Sequence, residues 1–117
     1  MLNVQEYLRS GRPPSELTSE LGVGVFKHPG LPLVGLKYES LAPKGHPIVR
    51  ECRGLVLETG SWDVVAKPFD RFYNAGEAPE AFARFRWDRS TCQSKEDGSL
   101  VIVYAYRGTW HVNTSRS

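Results

Sequence analysis

Hydrophobic and polar positions in the first part of the chain follow a helical spacing. Val4 and Leu8 share one helical face behind Asn3, which is a fair N-cap residue. A second short helix is predicted over residues 15–21, with Gly22 as its terminator. The sequence therefore predicts two short helices at the N-terminus.

Beyond Gly22 the pattern changes to short apolar or alternating runs that are separated by glycine, proline and polar turns. Such runs are typical of strands, and they cover residues 33–38, 48–58, 62–67, 91–95, 99–106 and 109–114. Residues 78–86 place Ala81, Phe82 and Phe85 on one helical face, which predicts a short helix between two groups of strands. The predicted fold class is α+β, with a largely antiparallel sheet.

Composition limits the chain to one globular domain. It has 117 residues, of which 40% are hydrophobic and 24% are charged, well away from the composition of disordered chains. The net charge of +2 is too small to indicate a nucleic-acid partner by itself. No apolar run is long enough to cross a bilayer, so we predict a cytoplasmic protein with no membrane partner.

The cysteines and histidines do not show metal-ligand spacing. Cys52 and Cys92 lie in strand-like runs and are predicted to be buried, reduced thiols. His28, His46 and His111 are scattered, without an acidic or cysteine partner nearby in the sequence. No metal site is therefore predicted from these residues.

A candidate for chemistry lies in the run Lys95-Glu96-Asp97-Gly98-Ser99. The run reads as a hairpin turn between a strand that ends at Lys95 and one that begins at Ser99, and Gly98 can take the positive φ that such a turn needs. A lysine before a turn is usually a solvated charge, so this motif alone is weak.

The functional alternative is that Lys95 attacks the α-phosphorus of ATP. The attack needs a neutral amine, whereas a free lysine titrates near ~10.4 and is almost wholly protonated at neutral pH. Burial, nearby cations or a bound metal would favour the neutral form, and Arg53, Lys67 and Arg71 supply cations upstream.

Two further blocks of interest lie upstream of the Lys95 motif, at residues 51–58 and 67–74. Arginine suits bidentate phosphate recognition, which makes Arg53 a candidate ligand for a nucleotide. The aromatic pair Phe69 and Phe72 lies beside basic residues and could pack near a base. Each feature also has a structural alternative, because Arg53 could be a surface residue and the two phenylalanines could be core.

Taken in order, Glu-Cys-Arg-Gly, Lys-Pro-Phe-Asp-Arg-Phe-Tyr-Asn and Lys-Glu-Asp-Gly-Ser-Leu-Val resemble the N-terminal part of an RNA ligase family. Its best-known member comes from bacteriophage T4, and it belongs to the lysine nucleotidyltransferase superfamily. The resemblance runs from Leu33 to the C-terminus. It implies part of an ATP-dependent ligase domain that uses ATP and Mg²⁺ to join a 5′-phosphate RNA end to a 3′-hydroxyl end, in reactions such as RNA repair.

The resemblance also assigns roles to residues of this chain. Lys95 matches the lysine that accepts AMP, within a loop formed by Glu96, Asp97 and Gly98. The positions that match nucleotide-binding residues upstream are Arg53, Arg71, Tyr73 and Tyr38. The T4 enzyme has a lysine where this chain has Arg71, which keeps the charge and changes the geometry. It also has a basic residue near the position of Arg116.

Family members carry further nucleotidyltransferase motifs downstream of this region. We therefore expect residues 1–117 to form a single incomplete domain, and a second polypeptide could complete its active site. The alternatives are a truncated, non-catalytic nucleotide-binding remnant, a DNA ligase or mRNA-capping enzyme of the same superfamily, and a plain structural module with a Lys-Glu-Asp-Gly hairpin.

Overall fold

The computed structural model describes residues 1–74, 76, 77 and 83–114. Its helices include α1 (Asn3–Arg9), α2 (Pro14–Leu21), α3 (Pro47–Glu51) and a 3-10 helix at Trp87–Arg89. Its strands include β1 (Val23–Lys27), β2 (Leu33–Tyr38), β3 (Arg53–Glu58), β4 (Val64–Ala66), β5 (Val101–Tyr106) and β6 (Thr109–Thr114). The first four strands form an antiparallel sheet in the order β1-β2-β3-β4, and β5 pairs with β6 as a hairpin. The α+β class is confirmed.

The N-terminus of α1 is held by a residue distant in sequence. Asn3 was predicted as the N-cap but is the first helical residue, after Leu2. The carboxylate of Glu51, at the end of α3, accepts hydrogen bonds from the backbone N–H groups of Asn3 and Val4, each at 2.9 Å. These donors have no partner inside the helix, so Glu51 replaces a local cap and fastens α1 to α3.

The end of α2 at Gly22 is confirmed. Gly22 has a φ of 66°, in the left-handed region, and its N–H donates to the carbonyl of Thr18 at 3.1 Å. A Cβ at this position would lie 3.3 Å from the backbone of Ala42, so a larger residue would be both strained and crowded. Glycine therefore fixes the angle at which α2 turns into β1.

Both faces of the four-stranded sheet are covered. The helices pack on one face, where Leu36, Leu55 and Leu57 are fully buried. The hairpin packs on the other face, where the buried set is Leu33, Val56, Ala66 and Ile102. β3 is therefore a central strand, since its side chains alternate between two apolar layers.

Some predicted strand boundaries are wrong for physical reasons. The run 48–58 is a strand only from Arg53, because Pro47 begins α3 and the His46 side chain accepts the N–H of Ile48 as an N-cap. Residues 91–95 form no strand, and β4 is shorter than the predicted 62–67. β1 was missed because Val23–Lys27 is short and contains Gly24, which weakens its strand signal.

Part of the predicted helix over 78–86 cannot be compared, because residues 78–82 lie outside the described residues. Trp87–Arg89, just after that region, forms a single 3-10 turn. Among the described residues, no helix is both long and apolar enough to span a bilayer.

Candidate functional site

The neighbouring ends of β2 and β3 bring the first two candidate residues together. Lys37 pairs with Arg53 across the two strands, and the Tyr38 N–H donates to the carbonyl of Cys52 at 2.8 Å. A register shift between Leu36 and Lys37 marks the same place. Tyr38 and Arg53 therefore lie at one end of the sheet, although they are fifteen positions apart in sequence.

Arg71 joins this end of the sheet through backbone and side-chain contacts. Its N–H donates to the carbonyl of Arg50 at 3.1 Å, and its Nη1 donates to the hydroxyl of Tyr38 at 3.2 Å. The centre of its guanidinium lies 5.1 Å from the ring of Tyr73. The hydrogen bond to Tyr38 raises the pKa of Arg71, which keeps the guanidinium charged.

Two guanidinium nitrogens in this group are buried without a hydrogen-bond partner in the described part of the chain. They are Nη1 of Arg53 and Nε of Arg71. The Arg53 guanidinium lies 4.7 Å from the ring of Phe72, and Nη2 of Arg71 lies 3.3 Å from a carboxylate oxygen of Glu77. Buried donors without an acceptor are costly, so these two nitrogens fit an anionic ligand such as a phosphate.

The ring of Tyr73 lies near two arginines, one of which the sequence did not indicate. Its hydroxyl donates to the carbonyl of Lys44 at 2.8 Å. In addition to the Arg71 contact, the guanidinium of Arg50 lies 5.5 Å from the centre of the Tyr73 ring. Arg50 fell inside a predicted strand, where it carried no signal. Recognition of α3 would have placed it in the last turn of a helix that ends just before β3. We refer below to Tyr38, Arg50, Arg53, Arg71 and Tyr73 as the arginine–tyrosine cluster.

An open cleft of about 510 Å³ lies between the start of the block at residues 67–74 and the start of β5. The cleft is lined by residues 67–70 and by Leu100, Val101 and Ile102. Lys67 and Asp70 form an ion pair at 2.6 Å within it. The volume lies in the range of small-molecule sites, ~300–1,000 Å³.

The Lys95 segment itself departs from the predicted hairpin. Lys95, Glu96, Asp97 and Gly98 are exposed in an irregular stretch before β5, and the real hairpin turns at Arg107-Gly108 instead. Gly98 does take a positive φ, 135°. Within the described residues Lys95 makes no hydrogen bond and no ion pair.

The structure thus brings Tyr38, Arg53, Arg71 and Tyr73 into one cluster, and it does not bring Lys95 into contact with them. The cleft adjoins the segment that leads from Lys95 into β5, and its lining residues 67–70 belong to the same sequence block as Arg71. Arg116 lies outside the described residues.

The two cysteines differ from each other. Cys52 is fully buried behind Arg53, as predicted, and burial raises the pKa of its thiol to about 12. Cys92 is exposed, which corrects the expectation of a buried thiol, because residues 91–95 do not form the predicted strand. The described part of the chain contains no group of three or more His, Cys, Asp or Glu side chains arranged to hold a metal ion.

Known proteins match this chain over the same blocks. A family model described as RNA ligase matches residues 51–117. The chain is 35% identical to a protein of Autographa californica nuclear polyhedrosis virus that is named as a bifunctional polynucleotide kinase/RNA ligase, over all of this chain and 18% of that relative. It is 30% identical to a protein of Thermovibrio ammonificans named as an RNA ligase, over 72% of this chain and 23% of that relative. No solved structure gives a significant match.

This chain spans about a fifth of the length of each of these two relatives. The family model covers more than half of the chain, including the blocks that contain Arg53, Arg71 and Lys95. On these matches, the chain belongs to the RNA ligase family typified by the bacteriophage T4 enzyme.

Proposed function

We propose that this chain is the nucleotide-accepting part of an ATP-dependent RNA ligase, in which Lys95 takes AMP from ATP. The observation that carries the proposal is the arginine–tyrosine cluster, with its two buried guanidinium nitrogens that have no partner among the described residues. Family membership supplies the reaction class.

Arg53 and Arg71 bind the phosphates of ATP in this proposal. Nη1 of Arg53 and Nε of Arg71 each have a free donor, and guanidinium–phosphate hydrogen bonds are charge-assisted and short. Tyr38 fixes one edge of the Arg71 guanidinium, and Tyr73 lies against its face. Mg²⁺ would neutralise part of the triphosphate charge and would be bound mainly through the phosphates.

Lys95 is the nucleophile. Its Nζ forms a bond to the α-phosphorus while the bond from that phosphorus to the β-phosphate bridging oxygen breaks, and pyrophosphate leaves. Asp97 and Gly98 shape the loop around the nucleotide, and Glu96 lies in the same irregular stretch. The AMP group then passes to a 5′-phosphate RNA end, and a 3′-hydroxyl displaces AMP as the strand is sealed.

Lys95 is exposed, so in this proposal a bound partner shields its side chain from water before the reaction. Attack needs a neutral amine, and removal of water from around a lysine favours the neutral form over the ammonium form. Bound ATP, the RNA ends and a second polypeptide are the partners that we propose for this step. The same exposure favours a second candidate function, a nucleotide-binding remnant that does not transfer AMP.

A ligation assay tests the proposal. The chain, alone and together with the rest of a related ligase, is incubated with ATP, Mg²⁺ and either a 5′-phosphorylated oligoribonucleotide or a nicked DNA duplex. We expect sealed RNA, with loss of product in Lys95→Arg and normal product in Lys27→Arg, an exposed lysine in β1. ATP binding without any sealed product in either condition supports the remnant, and preferential sealing of nicked DNA supports a DNA ligase.

A further inference from the structure

An exposed aromatic pair lies in the segment that precedes Lys95. Trp87 and Phe85 are 76% and 41% exposed, and their rings meet edge to face with the ring centres 4.7 Å apart. A single exposed apolar side chain is ordinary on a protein surface, whereas large rings that meet on the surface form a patch that indicates an interaction site. The pair is therefore a candidate contact for a partner.

Local contacts shape the backbone that carries Trp87. Residues 87–89 form the 3-10 helix. Nε and Nη2 of Arg86 donate to the two carboxylate oxygens of Asp88 at 3.1 and 2.8 Å, and the hydroxyl of Ser90 donates to the carbonyl of Arg86. The side chains on either side of Trp87 in sequence are thus paired with each other, and the indole is left to solvent. We call residues 84–89 the Trp87 turn.

Positive charge is concentrated in the Trp87 turn. Residues 84–89 contain three arginines and one aspartate, a net charge of +2 that equals the net charge of the whole chain. Arg84 and Arg89 are exposed, and within the described residues neither guanidinium makes a hydrogen bond or an ion pair. Both are therefore available to an anionic partner.

The combination of rings and arginines selects the class of partner. The bases of single-stranded RNA stack on exposed aromatic rings, and arginine binds the phosphates between them. A double helix keeps its base faces stacked inside and offers none to an indole. The core of a polypeptide interface is depleted of charged residues, whereas half of the positions in the Trp87 turn are arginine. Single-stranded RNA fits this surface best.

We propose that the Trp87 turn binds a single-stranded segment of the RNA substrate, with a base stacked on Trp87 and phosphates at Arg84 and Arg89. The inference rests on the proposed function, which supplies RNA as the substrate. It adds a contact surface made of residues that the arginine–tyrosine cluster does not include. Arg89 precedes Lys95 by six positions, and six residues span at most about 22 Å, so the bound strand is held near the nucleophile.

The test measures RNA binding by the full 117-residue chain without ATP. The probe is a short fluorescein-labelled oligouridylate with hydroxyl groups at both ends, so that neither the nucleotide nor a 5′-phosphate contributes. We expect saturable binding in fluorescence anisotropy, weakened about tenfold or more by Trp87→Ser. Trp110→Ser is the matched control, because Trp110 is another tryptophan with a similar exposure, 73%, and its loss is expected to leave binding unchanged.

Arg89→Gln gives a second variant that keeps both rings. It is expected to weaken binding severalfold and to reduce the slope of log K against log salt by about 0.7, the value for one phosphate contact on a single strand. Lys27→Gln removes one charge from an exposed lysine of β1 and is expected to leave that slope unchanged. Absence of binding, binding that neither Trp87→Ser nor Arg89→Gln weakens, or preference for a duplex of the same length would overturn the inference.

Two further measurements separate this inference from its rivals. Self-association of the chain that Trp87→Ser abolishes would assign the turn to a protein contact and overturn the inference. Labelling of Lys95 by ATP is measured without RNA, in the wild type and in Trp87→Ser. Labelling without RNA binding overturns the inference and leaves the proposed function standing, whereas RNA binding at the turn without labelling keeps the RNA surface and removes the proposed function.

Discussion

Replacement of Glu51 by glutamine tests how α1 is fastened to the site end of the sheet. Glu51 is only 8% exposed, and its carboxylate accepts three hydrogen bonds. Oε2 receives the backbone N–H and the side-chain amide of Asn3, at 2.9 and 3.0 Å, and Oε1 receives the N–H of Val4 at 2.9 Å. Glutamine has nearly the same shape but one acceptor oxygen fewer.

The expected loss follows from these three bonds. If the glutamine oxygen stays with Asn3, its NH₂ group faces the N–H of Val4, a fully buried residue, and two donors oppose each other. An unsatisfied buried N–H costs about 1–3 kcal/mol, and charge-assisted bonds are roughly twice as strong as neutral ones. We expect Glu51→Gln to lower the free energy of unfolding by about 3 kcal/mol, and the Tm by roughly 12 °C or more.

Urea unfolding followed by far-UV circular dichroism measures this loss, provided that the m-value is unchanged. Glu39→Gln is the matched control, because Glu39 is exposed and its substitution is expected to cost less than ~0.5 kcal/mol. A Glu51→Gln protein as stable as the control would refute the view that this carboxylate fastens α1 to α3.

Three further outcomes are expected. A thiol reagent should label Cys92 in the native protein and Cys52 only after unfolding, since burial raises the pKa of Cys52 to about 12; a native count of two reactive thiols would contradict this. Hydrogen bonding from Tyr106 lowers the pKa of Glu58 from 4.5, so that stability is present above that pH and lost as the pH falls through the lowered value. Tyr106→Phe should therefore reduce the loss of stability that urea titrations record as the pH falls below 4.5, and an unchanged loss would contradict this. Arg71→Met should weaken ATP binding roughly tenfold in calorimetric titrations and Arg71→Lys by less; equal affinities for wild type and Arg71→Met would remove Arg71 from the site.

The sequence predicted the fold where local patterns dominate. The two N-terminal helices, the Gly22 terminator and the strands around Leu33 and Thr109 follow from spacing and turn residues, and these are confirmed. The start of β3 could not be predicted, because the apolar run around Ile48 suits either a helix or a strand. Pro47 in the first helical turn and the N-cap of His46 favour the helix.

The candidate site was likewise predicted from the sequence only in part. The ordered blocks identified the family and pointed to Arg53 and Arg71, since their residue types suit phosphate. The hydrogen bond of Arg71 to Tyr38 and the position of Arg53 opposite Lys37 depend on how the chain folds around β2 and β3, which sequence spacing does not contain. Arg50 joins the cluster through α3, a helix that the strand-like pattern concealed.

The central claim is that Lys95 accepts AMP, and a labelling experiment tests it most directly. The chain is incubated with ATP labelled at the α-phosphate and with Mg²⁺, alone and together with the rest of a related ligase, and peptides are then mapped. The account predicts acid-labile label on the peptide that contains Lys95, strongest with the added polypeptide and absent from Lys95→Arg. Label that persists in Lys95→Arg, or no label under either condition, would contradict it.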